Sequence, residues 1–112
     1  VMAVTGACLM MRKSLFEQLG GLDESFRVSL NDVDLCIRAW KAGYVNVFTP
    51  FAELYHYESI SRGLDDKGEK AERYNQESEA FRAKWKELLD RGDPYYNPNF
   101  SLDRSDFALR YE

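Results

Sequence analysis

Between Glu69 and Asp90 the apolar side chains Ala71, Tyr74, Phe81, Trp85 and Leu88 recur at spacings of three, four and seven. That period marks one face of a helix and predicts a long amphipathic helix over residues 69–90, stopped by Arg91-Gly92-Asp93-Pro94. A second stripe, Val33, Ile37 and Trp40, predicts a helix that starts at Asn31 or Asp32, either of which can cap it, and ends near Lys41 before Gly43. A shorter helix is expected over residues 15–19, with Ser14 as cap, Glu17 completing a capping box and Gly20 closing the end. The remaining apolar runs read as extended. They are residues 1–4 and, beyond the small-residue bend Thr5-Gly6-Ala7, residues 8–11; then residues 44–48 and, past Pro50, residues 52–57. The polar stretch over residues 59–68 reads as a loop, and the aromatic tail from Tyr95 to Phe100 has no period and is expected to lie extended, pinned by its rings. No internal repeat or low-complexity tract interrupts this order.

A chain of 112 residues makes one domain at most. A domain of that size buries about two-thirds of its unfolded surface. With 45% hydrophobic and 30% charged residues the composition is globular, and a net charge of -4 lacks the basic face a nucleic-acid partner requires. Cys8 and Cys36 both sit among apolar neighbours, so two reduced, buried thiols and a cytoplasmic location are expected. The apolar run over residues 1–11 is broken by Thr5 and Gly6 and falls short of the roughly 20 residues that cross a bilayer. It also lacks the basic start of a signal peptide. A chain that opens directly in a strand pattern reads as a piece of a longer protein.

Candidate chemistry gathers in the middle of the chain. Asp32 and Asp34 are two residues apart, so on a helix they point to different sides and do not chelate one metal together. One can cap the helix while the other looks into a cleft, or both can simply stabilise the helix N-terminus, by about 0.3–1 kcal/mol each at an exposed end. His56, the one histidine, can bind a divalent metal as neutral imidazole or be a satisfied core residue. The segment Ser59-Ile60-Ser61-Arg62-Gly63 offers hydroxyls and a guanidinium suited to phosphate oxygens, or is an ordinary solvated turn.

Taken as a set, the succession is more specific than any member. It runs Thr5-Gly6-Ala7-Cys8-Leu9-Met10-Met11-Arg12, Gly20-Gly21-Leu22-Asp23-Glu24-Ser25-Phe26, Asn31-Asp32-Val33-Asp34-Leu35-Cys36-Ile37-Arg38, Ala42-Gly43-Tyr44, Pro50, and His56 through Gly63. This order resembles the C-terminal half of family 2 inverting glycosyltransferases, in their rhamnosyltransferase-like and O-antigen branch. The resemblance implies an α/β fold, the acceptor-side half of a GT-A nucleotide-diphospho-sugar transferase over residues 1–63, followed over residues 64–112 by the long helix and aromatic tail. By the same resemblance Asp32 is the base that deprotonates the acceptor hydroxyl, with Asp34 and Asn31 supporting it or capping its helix. His56 joins a divalent metal, Mn²⁺ or Mg²⁺, on the diphosphate side, and Ser61 and Arg62 close over the leaving group. Thr5, Gly6 and Ala7, with Gly21, Asp23 and Glu24, shape the acceptor cleft.

Two departures from the family pattern stand out. Asn31 replaces the usual Glu before the base, removing one negative charge. Nothing matches the nucleotide-binding half, and Asp32-Val33-Asp34, which spells a D-x-D, has no apolar strand feeding into it and is not the family's metal motif. The isolated chain is therefore expected to turn over nothing. In the whole protein the implied partners are a nucleoside-diphosphate sugar and a saccharide or lipid-linked acceptor, with no nucleic acid. The setting is surface polysaccharide assembly in the cytoplasm or at the inner face of the membrane, with room for peripheral membrane association and a homodimer. The alternative is a non-catalytic glycan- or partner-docking module derived from a transferase domain.

Overall fold

The computed structural model describes residues 1–57 and 68–111. Four helices order them: α1, Lys13–Gln18; α2, Asn31–Lys41; α3, Glu69–Lys84; and α4, Lys86–Arg91, with a single 3-10 turn at Gly6–Cys8 ahead of them. The α/β expectation is not met among the described residues. Residues 1–4 and 44–48 form no strand ladder, and among the described residues the one isolated β contact is an antiparallel bridge between Phe100 and Leu109. Asn46 ties the two segments to each other and to α2: its side-chain amide donates to the Met2 and Cys36 carbonyls, each at 2.9 Å, and its carbonyl accepts the Val1 amino group at 3.1 Å. Tyr55 and Tyr57 keep the two-residue period of a strand, stacked at 6.3 Å, on an exposed segment.

Helix α1 begins at Lys13, with Arg12 rather than Ser14 in the capping position, so the expected capping box does not form. Its end follows the sequence. Gly20 and Gly21 take φ of +84° and +74°, and their amides bond back to the Glu17 and Phe16 carbonyls at 3.0 and 2.9 Å. Such left-handed positions close a helix and suit glycine, which has no Cβ to clash.

Helix α2 occupies nearly its expected span, and Gly43, at φ +98°, ends it. Its start differs. Leu30, in the left-handed region at φ +67°, holds the cap position without a side-chain bond, so neither Asn31 nor Asp32 caps the helix. Asp34, Leu35, Cys36, Ile37 and Ala39 are all buried, which makes α2 the central element and not a surface helix with one inner stripe.

The long helix expected over residues 69–90 is broken at Trp85, whose φ of -110° and ψ of 24° separate α3 from α4. The break falls where the indole N–H turns inward to a buried carboxylate. Phe81 and Trp85 join Phe26 and Ile37 in the core, with Met2, Leu30, Val33 and Leu88 packed around them. Phe26 meets Phe81 edge to face at 5.9 Å. Of the remaining stripe residues, Tyr74 lies outside the core and is exposed. The tail is pinned by rings as expected, but in a compact form: Tyr96, Phe100 and Phe107 pack in succession, and the Trp40 indole donates to the Tyr95 hydroxyl at 3.0 Å. Cys36 is buried, whereas Cys8 is exposed, correcting the expectation that both thiols lie inside.

Candidate active site around helix α2

Asp32 stands in the first turn of α2, half-buried, beside the 3-10 turn. One carboxylate oxygen accepts the Gly6 amide at 2.7 Å and the other accepts the Val33 amide at 2.8 Å. Two fixed donors orient the group, and the remaining lone pairs can still take a proton. The 3-10 turn approaches closely enough that a side chain would crowd it: a Cβ on Gly6 would lie 3.1 Å from the Asp32 Cβ and 3.3 Å from its Oδ2. Thr5 shapes that turn from the other side, its hydroxyl accepting the Ala7 amide at 3.3 Å. The structure therefore joins Thr5, Gly6 and Ala7 to Asp32. Burial pushes the Cys36 thiol beneath it up from its ordinary value; the hydrogen bond to the Val4 carbonyl works against that shift, and the Asp32 charge adds a smaller upward push.

Asp34 does not cap. It is fully buried and acts as a junction. Its Oδ2 accepts the Arg38 Nε at 2.9 Å; its Oδ1 accepts the Trp85 indole N–H at 2.8 Å and lies 2.7 Å from the Lys84 ammonium. Three donors and two positive charges offset the cost of taking a carboxylate out of water. Arg38 extends past Asp34 to donate to the Leu19 and Gly21 carbonyls, each at 2.7 Å, so the glycine turn is anchored to α2. Asp23, expected at the acceptor cleft, is occupied within the turn. It accepts the Ser25 hydroxyl and amide and pairs with Lys84 at 2.8 Å. Those partners, the Lys84 ammonium above all, hold its carboxyl well below the usual carboxylate range. Glu24 beside it is exposed.

The loop between the turn and α2 is held from α3. Glu77, buried, accepts the amides of Arg27 at 2.7 Å, Val28 at 3.3 Å and Ser29 at 3.0 Å, just before the strained Leu30. A carboxylate on three backbone donors is a strong anchor.

His56 is exposed on the extended segment 52–57 and is not part of the Asp32 and Asp34 cluster. Ser61 and Arg62 lie outside the described residues. Among the described residues, no three imidazole, carboxylate or thiol groups converge to hold a metal ion. His56 could give such an ion one ligand only. Nor is any described helix long and apolar enough to cross a membrane.

Arg38, Glu77, Lys84 and Trp85 were not singled out as site residues from the sequence. Arg38 follows Asp34 by four, a pairing signal on any helix. Glu77 falls on the apolar stripe of α3 between Tyr74 and Phe81, where a carboxylate is out of place unless it has partners. Lys84 carries no comparable signal.

Residues 1–88 match the family described as Glycosyl transferase family group 2. Among individual proteins, the chain is 49% identical over 96% of its length to the uncharacterized protein y4gI of Sinorhizobium fredii, and 41% identical over 97% to the O-antigen biosynthesis protein RfbC of Myxococcus xanthus. It is 44% identical over 55% of its length to the N-acetylglucosaminyl-diphospho-decaprenol L-rhamnosyltransferase of Mycobacterium tuberculosis. The matched regions make up 12%, 8% and 20% of those three proteins, so the chain spans a small part of each. No solved structure matches it. With more than three-quarters of its length inside the family match, and with the Gly20 to Phe26 turn and the Asp32 helix gathered around one buried carboxylate, this chain belongs to glycosyl transferase family group 2.

Proposed function

We propose that this chain is the acceptor-side part of an inverting glycosyltransferase that, in the longer protein, moves a sugar from a nucleoside diphosphate to a hydroxyl of a glycan or lipid-linked saccharide. The observation that carries the reading is the Asp32 carboxylate, half-buried and oriented by the Gly6 and Val33 amides at the start of α2. A group so held is suited to general-base work, which needs a proton acceptor fixed in place more than a strong one. The acceptor O–H proton passes to Asp32; the oxygen forms its bond to the anomeric carbon as the bond to the diphosphate oxygen breaks on the opposite face, and the leaving diphosphate carries away the electron pair. The relatives named as an O-antigen biosynthesis protein and as an N-acetylglucosaminyl-diphospho-decaprenol L-rhamnosyltransferase support polysaccharide assembly as the setting; a cytoplasmic location at the inner face of the membrane is part of the proposal.

A divalent metal, Mn²⁺ or Mg²⁺, would neutralise charge on the departing diphosphate. His56 is retained in the proposal as a ligand of that metal, on the family resemblance; the proton transfer to Asp32 does not depend on it. Ser61 and Arg62 are retained in the proposal as diphosphate contacts.

The test is Asp32→Asn in the longer protein, assayed with a panel of nucleotide sugars. Transfer should fall by about two orders of magnitude or more while donor affinity stays within about threefold, the mark of a group that acts on the acceptor in the transition state. Turnover near the wild-type rate would remove Asp32 from the role.

A further inference from the structure

Two cations hold the glycine turn against α2, and they hold it differently. Arg38 belongs to α2 itself and grips the turn by the carbonyls of Leu19 and Gly21. Lys84 comes from the far end of α3. Its ammonium stands 2.8 Å from the Asp23 Oδ2 and 2.7 Å from the Asp34 Oδ1, spanning the acid of the turn and the acid of the helix in one step. The ammonium also stands over two aromatic rings, 5.6 Å from the Phe26 centroid and 5.2 Å from that of Trp85.

Neutralising Asp34 does not by itself require this lysine. Arg38 already pairs with one carboxylate oxygen and the Trp85 indole bonds the other. What Lys84 adds is Asp23, whose other partner is Ser25 within the same turn. Its distinct effect is therefore on where the turn lies relative to the helix that carries Asp32, two residues before Asp34. An exposed lysine on a helix flank would have little influence of this kind. Here the side chain is 34% exposed and one of its two carboxylates is fully buried.

We propose that Lys84 is a positioning residue for the acceptor, setting the place of the turn over residues 22–26 relative to Asp32 through its paired bonds to Asp23 and Asp34. The proposal rests on the reading of Asp32 as base and of the turn as acceptor side. It assigns to α3 a part in acceptor recognition.

The experiment compares Lys84→Met and Lys84→Arg with wild type in the longer protein, by steady-state transfer and by amide exchange. Methionine keeps an apolar stem beside Phe26 and Trp85, and Asp34 retains Arg38 and the indole. Lys84→Met should raise the acceptor KM about tenfold and leave the donor KM within about twofold, and Lys84→Arg should recover most of the loss. A merely structural lysine would move both KM values together or neither, and either result would overturn the proposal. Exchange gives a readout without turnover, since the Ser25 and Phe26 amides bond to Asp23 at 2.9 and 3.1 Å. Both should exchange about tenfold faster in Lys84→Met while Val33 is unchanged, because local opening follows local stability. Equal exchange in the two proteins would overturn the positioning role whatever the KM values. Absence of transfer by the wild type with every donor would count against the proposed function, while the exchange difference would still decide on Lys84.

Discussion

The Gly6 amide donates to the Asp32 carboxylate at 2.7 Å across a gap so narrow that a methyl group there would stand 3.1 Å from the Asp32 Cβ. Gly6→Ala must therefore move either the 3-10 turn or Asp32. In the longer protein kcat should drop by about tenfold or more with donor KM little changed, because a small misplacement of a reacting group is costly. The same substitution should lower stability by about 1–3 kcal/mol through overpacking. Steady-state kinetics and urea unfolding check the two parts, and an alanine variant with wild-type kcat would show that Asp32 does not need this contact.

Asp23 and Lys84 set a pH dependence with opposite signs at the two ends. The Asp23 carboxyl is depressed in the folded state, so its stabilisation is complete above the unfolded value of about 3.9 and is lost as pH falls through the lower folded value. For Lys84, desolvation pulls the ammonium down, but the bonds to Asp23 and Asp34 outweigh it and leave it raised. Its contribution is complete below the unfolded value of about 10.4 and is lost as pH rises through the higher folded value. Asp23→Asn should thus lower the urea midpoint by a constant amount between about pH 5 and pH 9, with the gap to wild type narrowing below about pH 4. A gap that stays unchanged down to about pH 2 would mean that Asp23 is not held by charge.

Glu77→Gln removes the charge that three backbone amides of residues 27–29 share. Hydrogen bonds to a charged group contribute about 1.5–3 kcal/mol, so a loss near the lower end of that range is expected, with faster amide exchange at Arg27 and Ser29. Unaltered exchange at those two amides would show that the loop holds its shape without the acid.

His56→Ala should weaken Mn²⁺-dependent binding of a nucleoside diphosphate to the longer protein, read by titration calorimetry with and without the metal. Equal affinities and equal metal dependence in the two proteins would remove His56 from the metal proposal.

The elements that the sequence made legible are those set by local period and by glycine. Helix α2 and the Gly20-Gly21 turn lie nearly where the spacing puts them, because each is specified by residues within one or two turns of itself. Extended segments are different. Residues 44–48 have the composition of a strand, but a strand also needs a ladder of partners, and here the neighbouring segment meets them only at Asn46, through its side-chain amide and its carbonyl. Trp85 read as one more apolar residue of a long helix; its indole N–H needed an acceptor once buried, and reaching Asp34 coincides with the break between α3 and α4. Asp32 was singled out through the family pattern, and its role is the proposal that Asp32→Asn tests. Lys84 was not singled out, since its two partners lie 61 and 50 positions away in the chain and no local spacing points to them.

Glu77 also bears on how this chain can be divided. Its carboxylate reaches 48 to 50 positions back along the chain to take hold of the strand of backbone that leads into α2. A protein engineer who trimmed everything beyond the polar stretch, treating the later helices as a dispensable appendix, would leave that backbone with three amides and no anion to receive them. Swapping this region between relatives would succeed best with the seam placed after Trp85, so that the acid and the loop it grips travel as one inherited unit.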